Sequence, residues 1–270
     1  MKTREALIHS SCRRMPASRV LIDRDDETRI NRRLPGSILA GVLLLLASAI
    51  SHAAMNGSIL WYLEQEAGIE PYKVRYLVTD GFMRSDEGDG KGGFALFNRK
   101  TKQVYSVVPE DRTMLRINGQ GQVPAIPRQL NVSIKQSVDA KAPRVADKAP
   151  VTVELLAGDE LCYTAVVVPG FPGPARAAFQ EFAESLAVQQ MRTLENTPVQ
   201  YRTPCFLSRY LYAADFHVQR GVPLVEWNDQ GERRELIDYQ IGVELDERLF
   251  VLPEGYELIR AAGQDDAGEE

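Results

Sequence analysis

The chain has 270 residues, 44% apolar and 26% charged, with a formal net charge of −5. These proportions build a globular core and exclude a disordered, collagen-like or low-complexity protein. Three histidines and three cysteines in the whole chain leave little material for multi-ligand metal motifs. Residues 38–50 are an uncharged apolar run, preceded by Arg29, Arg32 and Arg33 and followed by Ser51 and Ala53 in an S-x-A arrangement. That is the layout of a secretory signal peptide, and the run falls short of the ~20 apolar residues a membrane-spanning helix needs. Residues 1–53 therefore read as a signal peptide with an extended n-region. The expected product is periplasmic or secreted, with no integral membrane span after processing. Cleavage after Ala53 leaves 217 residues with 23 basic and 32 acidic side chains, a net of −9. An acidic domain of this kind does not neutralise phosphates, so nucleic acid is not an expected partner.

Along the remaining chain, residues 72–78 alternate, with Tyr72, Val74, Tyr76 and Val78 on one face and Lys73, Arg75 and Leu77 on the other. This is the pattern of a half-buried strand. Strands are expected again at 82–85, 94–98, 103–108 and 112–117, the last with Thr113, Leu115 and Ile117 inward. A Gly- and Pro-containing loop follows at 118–128, then a strand at 130–136 and a polar loop at 139–150. Strands at 151–156 and 161–168 precede the Gly/Pro stretch 170–174. Residues 174–195 space Phe179, Phe182, Leu186, Met191 and Leu194 as one amphipathic helix. A second helix is expected from the Thr203 cap and Pro204 to about Gln219, ended by Gly221. Strands at 222–227 and 233–244 follow, with Ile237, Tyr239, Ile241 and Val243 on one face. Residues 54–260 read as one domain and the acidic residues 261–270 as a disordered tail.

Cys162 and Cys205 remain after processing, and in an oxidising compartment they read as a disulfide. Together with His217 they lack the close ligand spacing of a structural zinc site, so no metal is expected. His217 is the last histidine left, read as a residue near a helix C-terminus facing the helix dipole. No G-x-S-x-G elbow accompanies it, so catalysis is not expected. Residues 88–93 match G-x-G-x-x-G, but a strand pattern follows where a nucleotide site needs a helix, so the run reads as a hairpin turn and no cofactor is expected. Asp86, Glu87 and Asp89 miss the calcium-loop spacing. The order of elements predicts an α+β fold: a strongly curved antiparallel sheet with helices packed on its concave face. Val74, Tyr76, Val78, Leu115, Ile117, Tyr239 and Ile241 are the residues that would line that face. They form a lipid cavity if the helices stand away from the sheet and ordinary core if they pack down.

Arg84, the run Gly93-Phe94-Ala95-Leu96-Phe97, the stretch from Gln103 to Met114 and the tail from Leu249 to Tyr256 resemble the strand series and ending of periplasmic lipoprotein-carrier-like (LolA-like) proteins. The resemblance spans most of residues 58–259 through loose motifs. It implies an incomplete β-barrel plugged by helices, and a partner that is a lipid, a lipoprotein or another envelope protein. The early Arg-Pro/Phe-Arg-Trp type segment of a true carrier is absent, so the family's lipid-binding residues do not transfer. The expected function is non-enzymatic binding of a lipid or acylated partner in a hydrophobic cavity. The alternative is an envelope accessory or signalling protein with a filled core that binds another protein.

Overall fold

The computed structural model describes residues 54–171 and 173–263; the expected signal peptide and residues 264–270 lie outside the described residues. Twelve strands form one open sheet. In chain order they are β1 (Ala54–Gln65), β2 (Tyr72–Thr79), β3 (Phe82–Asp86), β4 (Phe94–Asn98), β5 (Gln103–Val108), β6 (Thr113–Asn118), β7 (Val132–Val138), β8 (Val151–Ala157), β9 (Glu160–Val167), β10 (Pro223–Trp227), β11 (Arg233–Asp246) and β12 (Glu257–Arg260). The spatial order is β12-β6-β5-β4-β3-β2-β1-β11-β10-β9-β8-β7, so β12 and β7 are the outer strands. The parallel pairing of β12 with β6 is the exception in an otherwise antiparallel sheet. Two helices lie between β9 and β10, α1 (Gly173–Arg192) and α2 (Pro204–Leu207). The architecture is therefore α+β with an unclosed sheet.

Opposed residues of a ladder share a face. The register thus carries one face from Leu60 and Tyr62 on β1 through Tyr76 and Val78 to Met83, Phe97, Val104 and Ile117. Helix α1 covers it with Ala175, Ala178 and Phe179, flanked by Phe182 and Leu186, in one core cluster. The helical spacing of these five residues explains why one stripe of α1 meets the sheet. A second cluster joins Val153, Leu155, Tyr163, Ala165 and Val167 of β8 and β9 to Ala213 and Phe216. On the opposite face, Leu77, Leu96 and Leu245 pack beneath Phe250, Leu249 and Leu252, which follow β11. Among the described residues no helix is long and apolar enough to cross a membrane.

Several details differ from the sequence reading. The long central strand β1 and the short edge strand β12 were not expected. The second helix is far shorter than 203–219. Thr203 does cap it, its Oγ1 accepting from the Phe206 N–H at 3.2 Å. After Leu207, however, the chain widens into a π-turn at Ser208–Tyr212 and then irregular turns. Gly221 serves close packing instead of ending a helix, since a Cβ there would lie 2.1 Å from the Val168 carbonyl oxygen. Strand β11 does not alternate simply either. Bulges interrupt its pairing with β1 between Gly57 and Ser58 and between Trp61 and Tyr62. The first leaves Gly242 unpaired at φ 71°, a left-handed conformation suited to glycine. Val243 is thereby turned to the cluster around Leu245 and Phe250, away from the face of Tyr239 and Ile241.

Candidate functional site

Cys162 and Cys205 form a disulfide with a Cα–Cα distance of 5.0 Å. It ties β9 to α2 beside the second core cluster. A row of charges is placed by register, with Glu226 buried and Glu64 and Arg234 half-buried. Glu64 on β1 stands opposite Arg234 on β11, which stands opposite Glu226 on β10. Acid, base and acid therefore lie side by side across three adjacent strands, where the two core clusters meet.

Arg234 Nη2 lies 2.6 Å from Glu226 Oε1, and His217 Nε2 lies 3.0 Å from Glu226 Oε2. The guanidinium of Arg234 sits 4.8 Å from the Tyr62 ring centre and 5.7 Å from that of Phe179. Its aromatic walls reduce competition from water and favour the cation. Tyr76 donates its hydroxyl proton to Glu64 at 2.9 Å, and Tyr62 donates to the Pro223 carbonyl at 2.8 Å. Arg209, carried by the π-turn, stacks 4.3 Å over Tyr163 and donates to the Ala214 carbonyl at 3.1 Å. His217 and Glu226 are each 2% exposed, which makes their protonation a matter of neighbours and not of bulk water.

Burial works against the charge of Glu226, but Arg234, with His217 and Arg209, outweighs it and holds the carboxyl well below the usual range. Burial also pushes His217 below its ordinary value, with Arg209 and Arg234 adding repulsion against the pull of Glu226. His217 is thus neutral at pH 7, and its Nδ1 is buried without a hydrogen-bond partner. Glu64 is raised by burial, against the pull of Arg234 and the Tyr76 hydrogen bond. Burial raises Tyr62, Tyr76 and Tyr163 as well, while Tyr210 is pushed up to about 12, chiefly by burial and by Glu232. Chemically Glu226 is an anion locked between the Arg234 cation and a neutral His217, not a poised acid–base pair.

A polar hollow of about 250 Å³ lies elsewhere, between α1 and the β6 end, lined by Lys102, Gly119, Gln120, Gly121, Glu181, Glu184, Ser185 and Val188. Glu181 there accepts from both Arg99 and Lys102 at 2.9 to 3.0 Å. Burial opposes its charge, and the two cations bring its pKa below the usual value.

Of the seven residues expected to line a cavity, Tyr76, Val78 and Ile117 are buried beneath α1, and Val74 and Leu115 pack against the same cluster half-buried. Tyr239 and Ile241 do not join them. They are 40% and 43% exposed, and Tyr239 meets Phe171 edge-on at 4.8 Å. His217 contacts Glu226 instead of serving only a helix end. The sequence reading missed Glu64, Glu226, Arg209 and Arg234. The available signal was Glu226 itself, a carboxylate inside the apolar strand Leu224-Val225-Glu226-Trp227. Among the described residues, no group of histidine, cysteine, aspartate and glutamate is arranged to hold a metal ion.

No protein-family profile matches the chain, and no curated protein matches it. Among solved structures it is similar to PNGF-II, seen in C2 and P21 crystals, at 8% identity and TM-score 0.35 over 76% of this chain and 31% of that one. The chain thus spans under a third of the PNGF-II chain. It is also similar to an uncharacterized conserved protein from Thermus thermophilus, at 9% identity and TM-score 0.35 over 74% of this chain and 90% of that one. At this level of similarity the likenesses carry no inference about activity.

Proposed function

We propose that the chain is a non-enzymatic envelope protein, periplasmic or secreted, of lipoprotein-carrier-like build, which acts by binding another protein. In this reading the sheet curves around α1 as an incomplete barrel, and the helices plug its concave face. The supporting observation is that the would-be cavity is occupied by the protein itself. Phe179 is 4% exposed, with its ring centre 5.0 Å from Tyr76 and 6.3 Å from Tyr62, and Phe182 meets Phe97 at 5.6 Å. Interiors packed at this closeness have no room for an acyl chain.

Binding of a lipid or acylated partner is the second reading. It is favoured by the polar clasp that holds α1 to the sheet, Glu181 to Arg99 and Lys102, because a few partly exposed ion pairs release more readily than an apolar core. Titration of the purified full chain with a fluorescent fatty acid, followed by native mass spectrometry, separates the two. No uptake and an unladen mass are expected. Stoichiometric uptake would overturn the filled-core reading and favour the carrier.

A further inference from the structure

Resting on that protein-binding reading, we propose that the free edge of β7 is the docking site, and that it takes an extended, acidic segment of a partner protein as an added strand. β7 is the last strand of the sheet order, so its outer side has no strand beside it among the described residues. Its pairing with β8 is unbroken over seven residues, with no bulge. Six of those residues, 133–138, are exposed, including Ile134 at 37% and Val138 at 60%. A straight, regular, partly apolar edge is a template for another strand, and proteins that avoid such pairing shorten, bulge or cover it.

The other open edges of the molecule do show those devices. β12 is only four residues long. The half of β11 beyond its short pairing with β10 is broken by two bulges, and Asp238 caps the Tyr239 N–H with its own carboxylate at 2.8 Å. Among the described residues β7 is neither short, bulged nor covered by a strand; its one charge, Lys135, is the residue that favours an acidic occupant.

Charge selects the occupant. Residues 128–148 carry Arg128, Lys135, Lys141, Arg144 and Lys148 against Asp139 and Asp147, a net of +3 in a domain whose net is −9. The rest of residues 54–270 is therefore −12. Lys141 and Arg144 lie in the hairpin after β7, where Asp139 accepts from the Lys141 N–H at 2.8 Å and Arg144 donates to the Asp147 carbonyl at 3.0 Å. Backbone hydrogen bonds supply the affinity of an added strand, and complementary charge chooses the partner and speeds its arrival. Pairing of two β7 edges from two copies is disfavoured, because it sets one net +3 segment against another.

The test uses the full chain and three heptapeptides: one alternating Glu or Asp with Val, its lysine counterpart, and the acidic peptide N-methylated at alternate amides. The acidic peptide is expected to bind, more weakly at high salt, and to protect the amides of residues 132–138 from hydrogen exchange. The triple variant K135E/K141E/R144E, all surface changes, should weaken it by roughly tenfold or more. Equal binding of the lysine or N-methylated peptide, protection confined to other regions, or an unaffected triple variant would overturn the proposal. So would self-association that protects β7 in the absence of peptide, which would give the edge to a second copy. Fatty-acid uptake bears on the protein-binding reading alone, so failure there is distinguishable from failure here.

Discussion

Replacing Glu226 by alanine is the most direct probe of the charge row. Glu226 has 3% side-chain exposure and faces Arg234 at 2.6 Å and His217 at 3.0 Å. Its removal leaves Arg234, 20% exposed and walled by Tyr62 and Phe179, without its nearest counter-charge. Breaking one side of a buried pair costs about 3–5 kcal/mol, because the remaining charge stays desolvated. At roughly 2–4 °C per kcal/mol for a domain of this size, the melting temperature should fall by roughly 6–20 °C. The double variant E226A/R234M removes the orphaned charge as well, and should recover a substantial part of the loss, giving a coupling energy well above about 0.5 kcal/mol. Urea titration followed by tryptophan fluorescence is suited to this, since Trp227 adjoins Glu226 in sequence. If E226A lies within about 1 kcal/mol of the parent, or the double variant simply adds the two losses, the row is solvated and the argument fails.

Phe179→Ala removes the ring packed on Tyr62 and Tyr76; equilibrium unfolding should show a loss of about 3–5 kcal/mol. The double variant C162S/C205S opens a loop of sequence separation 43, and the chain-entropy treatment puts its cost at about 4 kcal/mol, read in the same titration. pH acts through two groups with the same sign. His217 has its folded pKa below its ordinary 6.5, so the unfolded chain takes up its proton first and stability falls as pH drops through 6.5. Glu226, depressed from 4.5, contributes stability above 4.5 that is lost at lower pH. Glu64, raised from 4.5, acts oppositely: it adds stability as pH falls towards 4.5, which offsets part of the His217 limb. Stability measured from pH 8 to 5 should decline below 6.5 in the parent relative to H217Q, which loses the His217 limb and keeps the opposite trend of Glu64, whereas parallel profiles would remove His217 as the cause.

Period-two alternation made most strands legible, because Tyr76 and Val78 or Leu115 and Ile117 share the face under α1 while their neighbours in sequence take the other face. It failed at β1, where Ile59-Leu60-Trp61-Tyr62-Leu63 is a continuous apolar run. Both faces of that central strand are covered, by α1 on one side and the segment after β11 on the other, and such a strand does not alternate. Missing β1 concealed the site, since Glu64 meets Arg234 only through its register. Period alone groups Tyr239 and Ile241 with Tyr76. They share its face, but they lie on the part of β11 that α1 does not cover and that β10 does not flank. The disulfide was legible because only two cysteines remain after the expected cleavage. The charge row was not: Glu226 stands out inside an apolar strand, but among 23 basic and 32 acidic residues its partners follow only from knowing which strands adjoin.

The position of the charge row suggests why the fold retains it at all. Burying an ion pair is weak as a source of net stability, because desolvation offsets attraction. Register is a different matter. β10 and β11 pair over only three residues, Val225 with Glu235, Glu226 with Arg234 and Trp227 with Arg233. That short ladder joins the half of the sheet under α1 to the half that carries the disulfide. A slip of one residue would set Arg234 against Val225 or Trp227 and turn Glu226 away from His217, leaving three buried or half-buried polar groups without partners. Each such group costs about 1–3 kcal/mol, more if charged, so the middle pair penalises misregistration far more than three backbone pairs do. The charges therefore lie where the sheet has least backbone to specify it.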